Sequence, residues 1–192
     1  MVGRVKRNDC VLVVVDVQDR LINTINQHEL IVDNIKALVH AAIVLRVPIL
    51  ATEQEKLGDT IPEVKSLLPN APTRKISFSC CDNSEFMTKL NAIGRKTMIV
   101  CGIETHICVT QTVLDLVRDH RHRVLVAKDA TSSYGIVDRE TAFRRMETSG
   151  AEITTSETII YELTENADTD EFKRILEIVK ARRTKLQSAP MN

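Results

Sequence analysis

Short runs of β-branched apolar residues alternate along this chain with segments of helical periodicity. The run Cys10–Val15 is apolar at every position, which is typical of a strand covered on both faces. Apolar residues in 30–45 recur at three-and-four spacing, which predicts a helix of about four turns. Because repeated strand–helix pairs form crossovers, the alternation predicts an α/β fold, with a doubly wound, mostly parallel sheet and helices on both faces.

The sheet is expected to have six strands. They are predicted at 10–15, 48–52, 73–78, from Met98 to a glycine turn, 124–127 and 153–155, with a turn-rich loop at 129–135. Helices are predicted at 30–45, 61–67, from residue 83 or 84 to 93, from a cap at Thr105 to 117, from a cap at Asp138 to 149, around 159–163, and from a capping box at Asp168. No linker or repeat interrupts this pattern, so residues 1–192 should form a single domain, with a core at about 8–180 and a flexible tail at 182–192.

The balance of charges argues against a polyanionic partner. Lysine and arginine (26) equal aspartate and glutamate (26) in number, so we expect neither nucleic acid nor a membrane as a partner. No apolar run has the length of a membrane span, and none resembles a signal peptide. Five cysteines, an odd number, do not suggest a disulfide framework. We therefore expect a cytoplasmic protein, with the mitochondrion as an alternative.

Three chemically interesting side chains are predicted at the carboxyl ends of strands. Asp16 closes the first strand, Lys75 lies in the third, and Cys108 follows the fourth. Ligands of such sheets bind at this edge, where the strand order reverses. A place in the first turn of a helix would favour the Cys108 thiolate. Taken singly, Asp16 could be a turn residue, Lys75 a surface charge and Cys108 a small core residue.

Three segments carry a resemblance to a known superfamily. They are Val15-Asp16-Val17-Gln18, Thr73-Arg74-Lys75-Ile76-Ser77-Phe78-Ser79 and Cys101-Gly102-Ile103-Glu104-Thr105-His106-Ile107-Cys108-Val109. In order, spacing and predicted context they resemble the isochorismatase-like cysteine hydrolases, which include isochorismatase, nicotinamidase and N-carbamoylsarcosine amidase. The resemblance runs from about Cys10 to Thr155 and is strongest toward small isochorismatase-domain hydrolases of unassigned substrate.

The resemblance implies a catalytic triad. Cys108 would be the nucleophile, Asp16 the general base and Lys75 the third member. It also implies a cis peptide between Ile103 and Glu104, with an oxyanion hole formed by the backbone N–H groups of Glu104 and Cys108. Lys75 would offset the charge of Asp16 and favour the thiolate, so we expect Lys75→Met to remain stable and lose turnover.

The chain departs from the family pattern after the second strand. Nicotinamidases usually carry Asp-x-His there and bind a divalent metal, whereas this chain has Thr52, Glu53 and Gln54. The departure implies no metal and no other cofactor. Leu21 also stands where many relatives have an aromatic residue, so the pocket near Asp16 is expected to differ in shape. We take as candidate lining residues of the substrate pocket Gln18, Gln54, Phe78 and His106.

Three further residues keep two interpretations. Cys80 and Cys81 could ligate a metal or form a vicinal disulfide, but small core or pocket residues are the simpler interpretation. His106 lies two residues before Cys108 and could be a second general base, although a pocket wall or an unrelated helix face is the simpler interpretation.

The residues and the resemblance together predict a metal-independent cysteine hydrolase. It would cleave a C–N bond of a small amide-like substrate through a covalent thioester at Cys108. The alternative is a binding or assembly subunit of the same fold with little turnover. A nuclease role has no phosphate loop or metal motif to support it. We expect a homo-oligomer, a dimer or larger, acting on a small molecule.

Overall fold

A computed structural model describes residues 3–25, 27–120 and 122–188. The strands are β1 (Cys10–Val15), β2 (Ile49–Gln54), β3 (Thr73–Lys75), β4 (Thr97–Ile103), β5 (Arg123–Ser132) and β6 (Glu152–Thr154). The helices are α1 (Asp19–Ile22), α2 (His28–Val44), α3 (Pro62–Lys65), α4 (Ser84–Ile93), α5 (Thr110–Arg118), α6 (Ile136–Thr148), α7 (Ser156–Thr164) and α8 (Asp170–Ser188). The predicted six-stranded α/β fold is confirmed.

All pairings between neighbouring strands are parallel, in the order β3-β2-β1-β4-β5-β6. The chain moves outward from β1 to β3 and then returns to β4 on the other side of β1. The strand order therefore reverses between β1 and β4, and the crevice at their carboxyl ends is where such sheets bind ligands.

The sheet separates two apolar layers, as the unbroken apolar sequence of β1 predicts. Alternate residues of that strand face opposite sides: Cys10, Leu12 and Val14 pack with α2, α7 and α8, while the intervening valines pack with α4, α5 and α6. All six residues of β1 are buried. Both faces of the sheet are thus covered, which confirms the doubly wound arrangement. No helix within the described ranges is long and apolar enough to cross a membrane.

Residues 182–188 of the predicted tail belong to α8, which continues to Ser188. Arg182 fixes this part of the helix: its side chain is only 9% exposed and donates hydrogen bonds to Asn34, Asp129 and Glu157. Such a network requires partners distant in sequence, so helical periodicity alone could not predict it. Residues 189–192 of the predicted tail lie outside the described residues.

The loop predicted at 129–135 is also wrong in its first part. After a shift in register beyond Val100, β5 pairs again with β4 through Thr131 and Ser132. Two predicted helix caps change as well. Gly135, not Asp138, precedes α6, and Thr169, rather than Asp168, accepts the hydrogen bond from the N–H of Phe172 at the start of α8.

Candidate active site

The carboxyl ends of β1 and β4 approach each other closely. Gly102 has a φ of 123°, and a Cβ there would overlap the backbone of Val15, so only glycine fits. Asp16, the residue after Val15, has a φ of 47°, in the left-handed region that non-glycine residues seldom adopt. The peptide bond between Ile103 and Glu104 is cis, at the position that the resemblance implies.

Asp16 and Lys75 form a fully buried ion pair. Lys75 Nζ lies 2.7 Å from Asp16 Oδ2, and neither side chain has exposed surface. The other carboxylate oxygen, Oδ1, accepts a hydrogen bond of 2.7 Å from Thr52 Oγ1. Each oxygen of the carboxylate is thus held by one donor, which fixes the orientation of the group.

The segment after β3 surrounds the Lys75 amine with further acceptors. Nζ donates to Gln54 Oε1 at 2.8 Å and lies near the carbonyl oxygens of Phe78 (3.1 Å) and Ser77 (3.2 Å). Burial is the largest single influence on the pKa of Lys75 and lowers it. The charge of Asp16, its hydrogen bond to the amine and the charges of Cys80 and Cys108 together exceed that effect, so the pKa is raised. These groups therefore favour the protonated amine.

Cys108 lies in a π turn, Thr105–Val109, between the cis peptide and α5. The N–H of Val109 donates to the carbonyl of Glu104 at 3.2 Å, and α5 begins only at Thr110. The predicted cap at Thr105 is wrong: its hydroxyl is buried and has no hydrogen-bond partner among the described residues. Cys108 consequently precedes the α-helix instead of occupying its first turn.

The surroundings of Cys108 favour the thiol. Burial raises its pKa to about 12, and the charge of Asp16, together with a hydrogen bond to that side chain, acts in the same direction. The charge of Lys75 opposes them without cancelling them. The expectation of a thiolate at neutral pH is therefore not supported. What the site does provide is a carboxylate, Asp16, close enough to Cys108 to act on the pKa of its thiol.

Cys80, interpreted from the sequence as a small core or pocket residue, belongs to this cluster. It is fully buried, and its Sγ lies 3.7 Å from Thr52 Oγ1, the hydroxyl that also contacts Asp16. Burial and the charge of Asp16 raise the pKa of the Cys80 thiol to about 11. Thr52 is predicted from the sequence at the end of the second strand. That position is the one sequence signal for its contacts with Asp16 and Cys80. Both cysteines, Cys80 and Cys81, are free thiols.

Gln18 and Gln54 lie beside the ion pair but are engaged within the chain. The fully buried amide of Gln18 donates to the carbonyls of Gln54 (2.9 Å) and Gly58 (2.6 Å) and accepts from the N–H of Gln54 (2.8 Å). Gln54 connects Lys75 to the carbonyl of Ile76. Gln18 therefore holds the loop after β2, and Gln54 supports Lys75.

Phe78 follows β3, and His106 follows β4. The side chain of Phe78 is about half exposed, and its carbonyl approaches Lys75. His106 Nδ1 is 3.0 Å from Ser133 Oγ, at the end of β5. The N–H of Tyr134 donates to Glu104 Oε1, which ties the same segment to the turn that carries Cys108.

The last residues of β2, where nicotinamidases usually carry metal ligands, are engaged within the chain. Glu53 is buried, and its Oε1 accepts 2.8 Å hydrogen bonds from the N–H and the hydroxyl of Thr60. Within the described part of the chain, no group of three or more histidine, cysteine, aspartate or glutamate side chains is placed to hold a metal ion.

Comparisons of the sequence and of the structure with known proteins agree on one family. The family model described as "Isochorismatase domain" matches residues 10–158. The secreted isochorismatase effector Isc1 of Phytophthora sojae is 37% identical over 93% of this chain and 88% of its own length. The structure of MAR1 ribonuclease from Caenorhabditis elegans superposes with a TM-score of 0.87 at 34% identity, covering 98% of this chain and 95% of that one. The structure of YcaC from Pseudomonas aeruginosa with hexane-2,5-diol and covalent acrylamide superposes with a TM-score of 0.87 at 27% identity, covering 98% of each chain.

Proposed function

The chain belongs to the isochorismatase family, and from that membership we propose that it is a metal-independent cysteine hydrolase of small amide-like substrates. The observation that carries the proposal is the buried Asp16–Lys75 ion pair, which lies close enough to Cys108 for both charges to act on the pKa of its thiol. A buried carboxylate near a thiol can accept the thiol proton, while the lysine offsets the negative charge of the carboxylate.

In the proposed reaction, Cys108 Sγ attacks the carbonyl carbon of the amide as Asp16 takes the thiol proton. The backbone N–H groups of Glu104 and Cys108 stabilise the oxyanion, at about 3 kcal/mol each. Collapse breaks the C–N bond, and Asp16 returns the proton to the leaving amine. A water molecule then attacks the thioester and gives up its proton to Asp16. Release of the carboxylic acid returns that proton to the sulfur.

The raised pKa of Cys108 fits this sequence of proton transfers. At rest the sulfur keeps its proton, so attack requires the base at the moment of reaction. The covalent acrylamide described for the Pseudomonas aeruginosa relative also supports a nucleophile in a protein of this shape.

The test is a screen of small amides and imides with wild-type protein and two variants. Cys108→Ala should abolish hydrolysis. Cys101→Ala is the matched control, because Cys101 is equally buried but lies in β4 and packs with the opposite layer. Loss of activity in both variants would indicate general structural damage. Full activity in Cys108→Ala would exclude the proposed nucleophile.

The likeness to MAR1 ribonuclease supports a second candidate, cleavage of RNA. The net charge of zero gives this chain no general attraction for a polyanion, which is why we rank it second. Incubating RNA with wild type and Cys108→Ala separates the two. RNA cleavage together with no amide hydrolysis would favour the nuclease. Absence of both activities would favour the alternative of a binding or assembly subunit.

We further propose a cytoplasmic homo-oligomer, a dimer or larger. Large apolar side chains are exposed around the candidate site, where a second copy could cover them: Ile76, Phe78, Tyr134, Ile136 and Val137. Light scattering of the purified protein tests the oligomer. Cell fractionation tests the compartment, since the relative from Phytophthora sojae is described as secreted.

A further inference from the structure

An apolar groove lies at the open edge of the sheet, at the opposite end of β2 from Gln54. It has a volume of about 770 Å³ and is bounded by the end of α2, the start of β2, residues 68–71 and the end of α4. Its walls are mainly apolar, and Ile43, one of them, is 43% exposed. The size suits a small ligand or a short segment of chain.

The edge of β2 presents unpaired backbone groups to this groove. The N–H of Leu12 donates to the carbonyl of Pro48, and that of Asp16 to the carbonyl of Thr52, so even-numbered carbonyls of this stretch face β1. Successive residues of a strand direct their backbone N–H and C=O groups to opposite sides. The groups of Ile49 and Ala51 therefore point away from β1.

On that side, β3 is too short to cover the whole strand. Its pairing with β2 begins only at Thr52, opposite Thr73. The N–H and C=O of Ile49 and the N–H of Ala51 therefore have no strand partner in the described part of the chain. An unpaired strand edge is a template for another extended segment.

Arg46 supplies an uncompensated charge at the end of the groove. It occupies the residue after the C-cap of α2 with a φ of 58°, where glycine is strongly preferred. Its side chain is exposed and has no hydrogen-bond or ion-pair partner among the described residues, and no carboxylate lines the groove. Lys89, the other cation there, is engaged by Glu85 and Thr73.

We propose that the groove binds an extended apolar peptide segment that ends in a free carboxylate. The segment adds antiparallel to β2, exchanging hydrogen bonds with the N–H and C=O of Ile49 and giving a carbonyl to the N–H of Ala51. In this direction its C-terminus points toward Arg46, whose guanidinium binds the carboxylate. The site is independent of the hydrolase proposed above.

The test uses an acetylated pentapeptide, Val-Thr-Val-Ser-Ile with a free C-terminus, and amide NMR of the full chain. We expect the amide signals of Ile49 and Ala51 to shift on titration. Amidation of the peptide C-terminus should weaken binding about fivefold, as should Arg46→Gly. Glycine suits the backbone at residue 46, so that variant should fold normally. Because both changes remove one interaction, the amidated peptide and Arg46→Gly together should lose no more than either change alone.

Two controls separate this peptide site from other occupants. The same peptide N-methylated at its central valine cannot donate to Ile49 and should not shift these signals. Decanoate provides an apolar chain and a carboxylate without a peptide backbone, and should leave the two amides unshifted. No shift with the parent peptide at about 1 mM, or an equal shift with decanoate, would overturn the proposal.

Discussion

Replacement of Lys75 by methionine tests how much the buried ion pair with Asp16 contributes to the free energy of unfolding. The amine of Lys75 lies 2.7 Å from Asp16 Oδ2 and 2.8 Å from Gln54 Oε1, with no exposed surface on either charged side chain. Methionine fills much of the volume but donates no hydrogen bond. The variant therefore leaves a buried carboxylate without its cation and the acceptors around the amine without a donor.

Removal of one member of a buried ion pair costs about 3–5 kcal/mol of unfolding free energy. A domain of this kind has only about 5–15 kcal/mol in total, so Lys75→Met should lose a large part of its stability. The sequence alone led us to expect an unchanged stability, because it does not show that the pair is fully buried. The double variant Lys75→Met/Asp16→Asn has no unpaired charge and should be more stable than Lys75→Met.

Urea denaturation followed by circular dichroism at pH 7 gives the comparison. Lys65→Met is the matched control, since Lys65 Nζ lies 2.8 Å from Asp59 Oδ2 but the two side chains are 46% and 56% exposed. We expect little change there, because solvent screens the pair. A Lys75→Met protein as stable as Lys65→Met would refute the reasoning.

Three further outcomes are expected. Because the pKa of Cys108 is raised to about 12, its alkylation by iodoacetamide, mapped by mass spectrometry, should rise about tenfold per pH unit from about pH 8 to 10; a plateau below pH 8 would reveal a stabilised thiolate. Gln18→Leu removes the side chain that joins Gln54 to Gly58 and should cost about 2 kcal/mol in urea denaturation; an unchanged midpoint would show that the loop is held by other contacts. Treatment with a chelator should leave amide hydrolysis intact, and activity lost and then restored by a divalent metal would contradict the metal-independent mechanism.

The framework of the site could be predicted from the sequence because it depends on strand order and strand ends. Six unbroken apolar residues place Cys10–Val15 in the middle of a sheet. Parallel strands end at one edge, which brings Asp16 and Lys75 together although they are 59 residues apart. The motif around Cys108 then places the sulfur at the same edge.

The detailed environment of these groups could not be predicted in this way. The contact of Cys80 with Thr52 depends on how loops fold back over the strand ends, and so do the hydrogen bonds of the Gln18 side chain to the loop after β2. The protonation of Cys108 depends on its burial, which a motif does not reveal. Thr105 is a favourable helix cap by residue type, but the π turn moves the helix start to Thr110.

The central proposal is that Cys108 forms a covalent intermediate with the substrate. Acid quenching during turnover of an amide found in the screen, followed by mass spectrometry of the peptides, tests it directly. We expect the acyl mass on the peptide that contains Cys108, its removal by hydroxylamine, and neither adduct nor turnover in Cys108→Ala. Turnover of the same amide by Cys108→Ala at the wild-type rate would contradict the proposal.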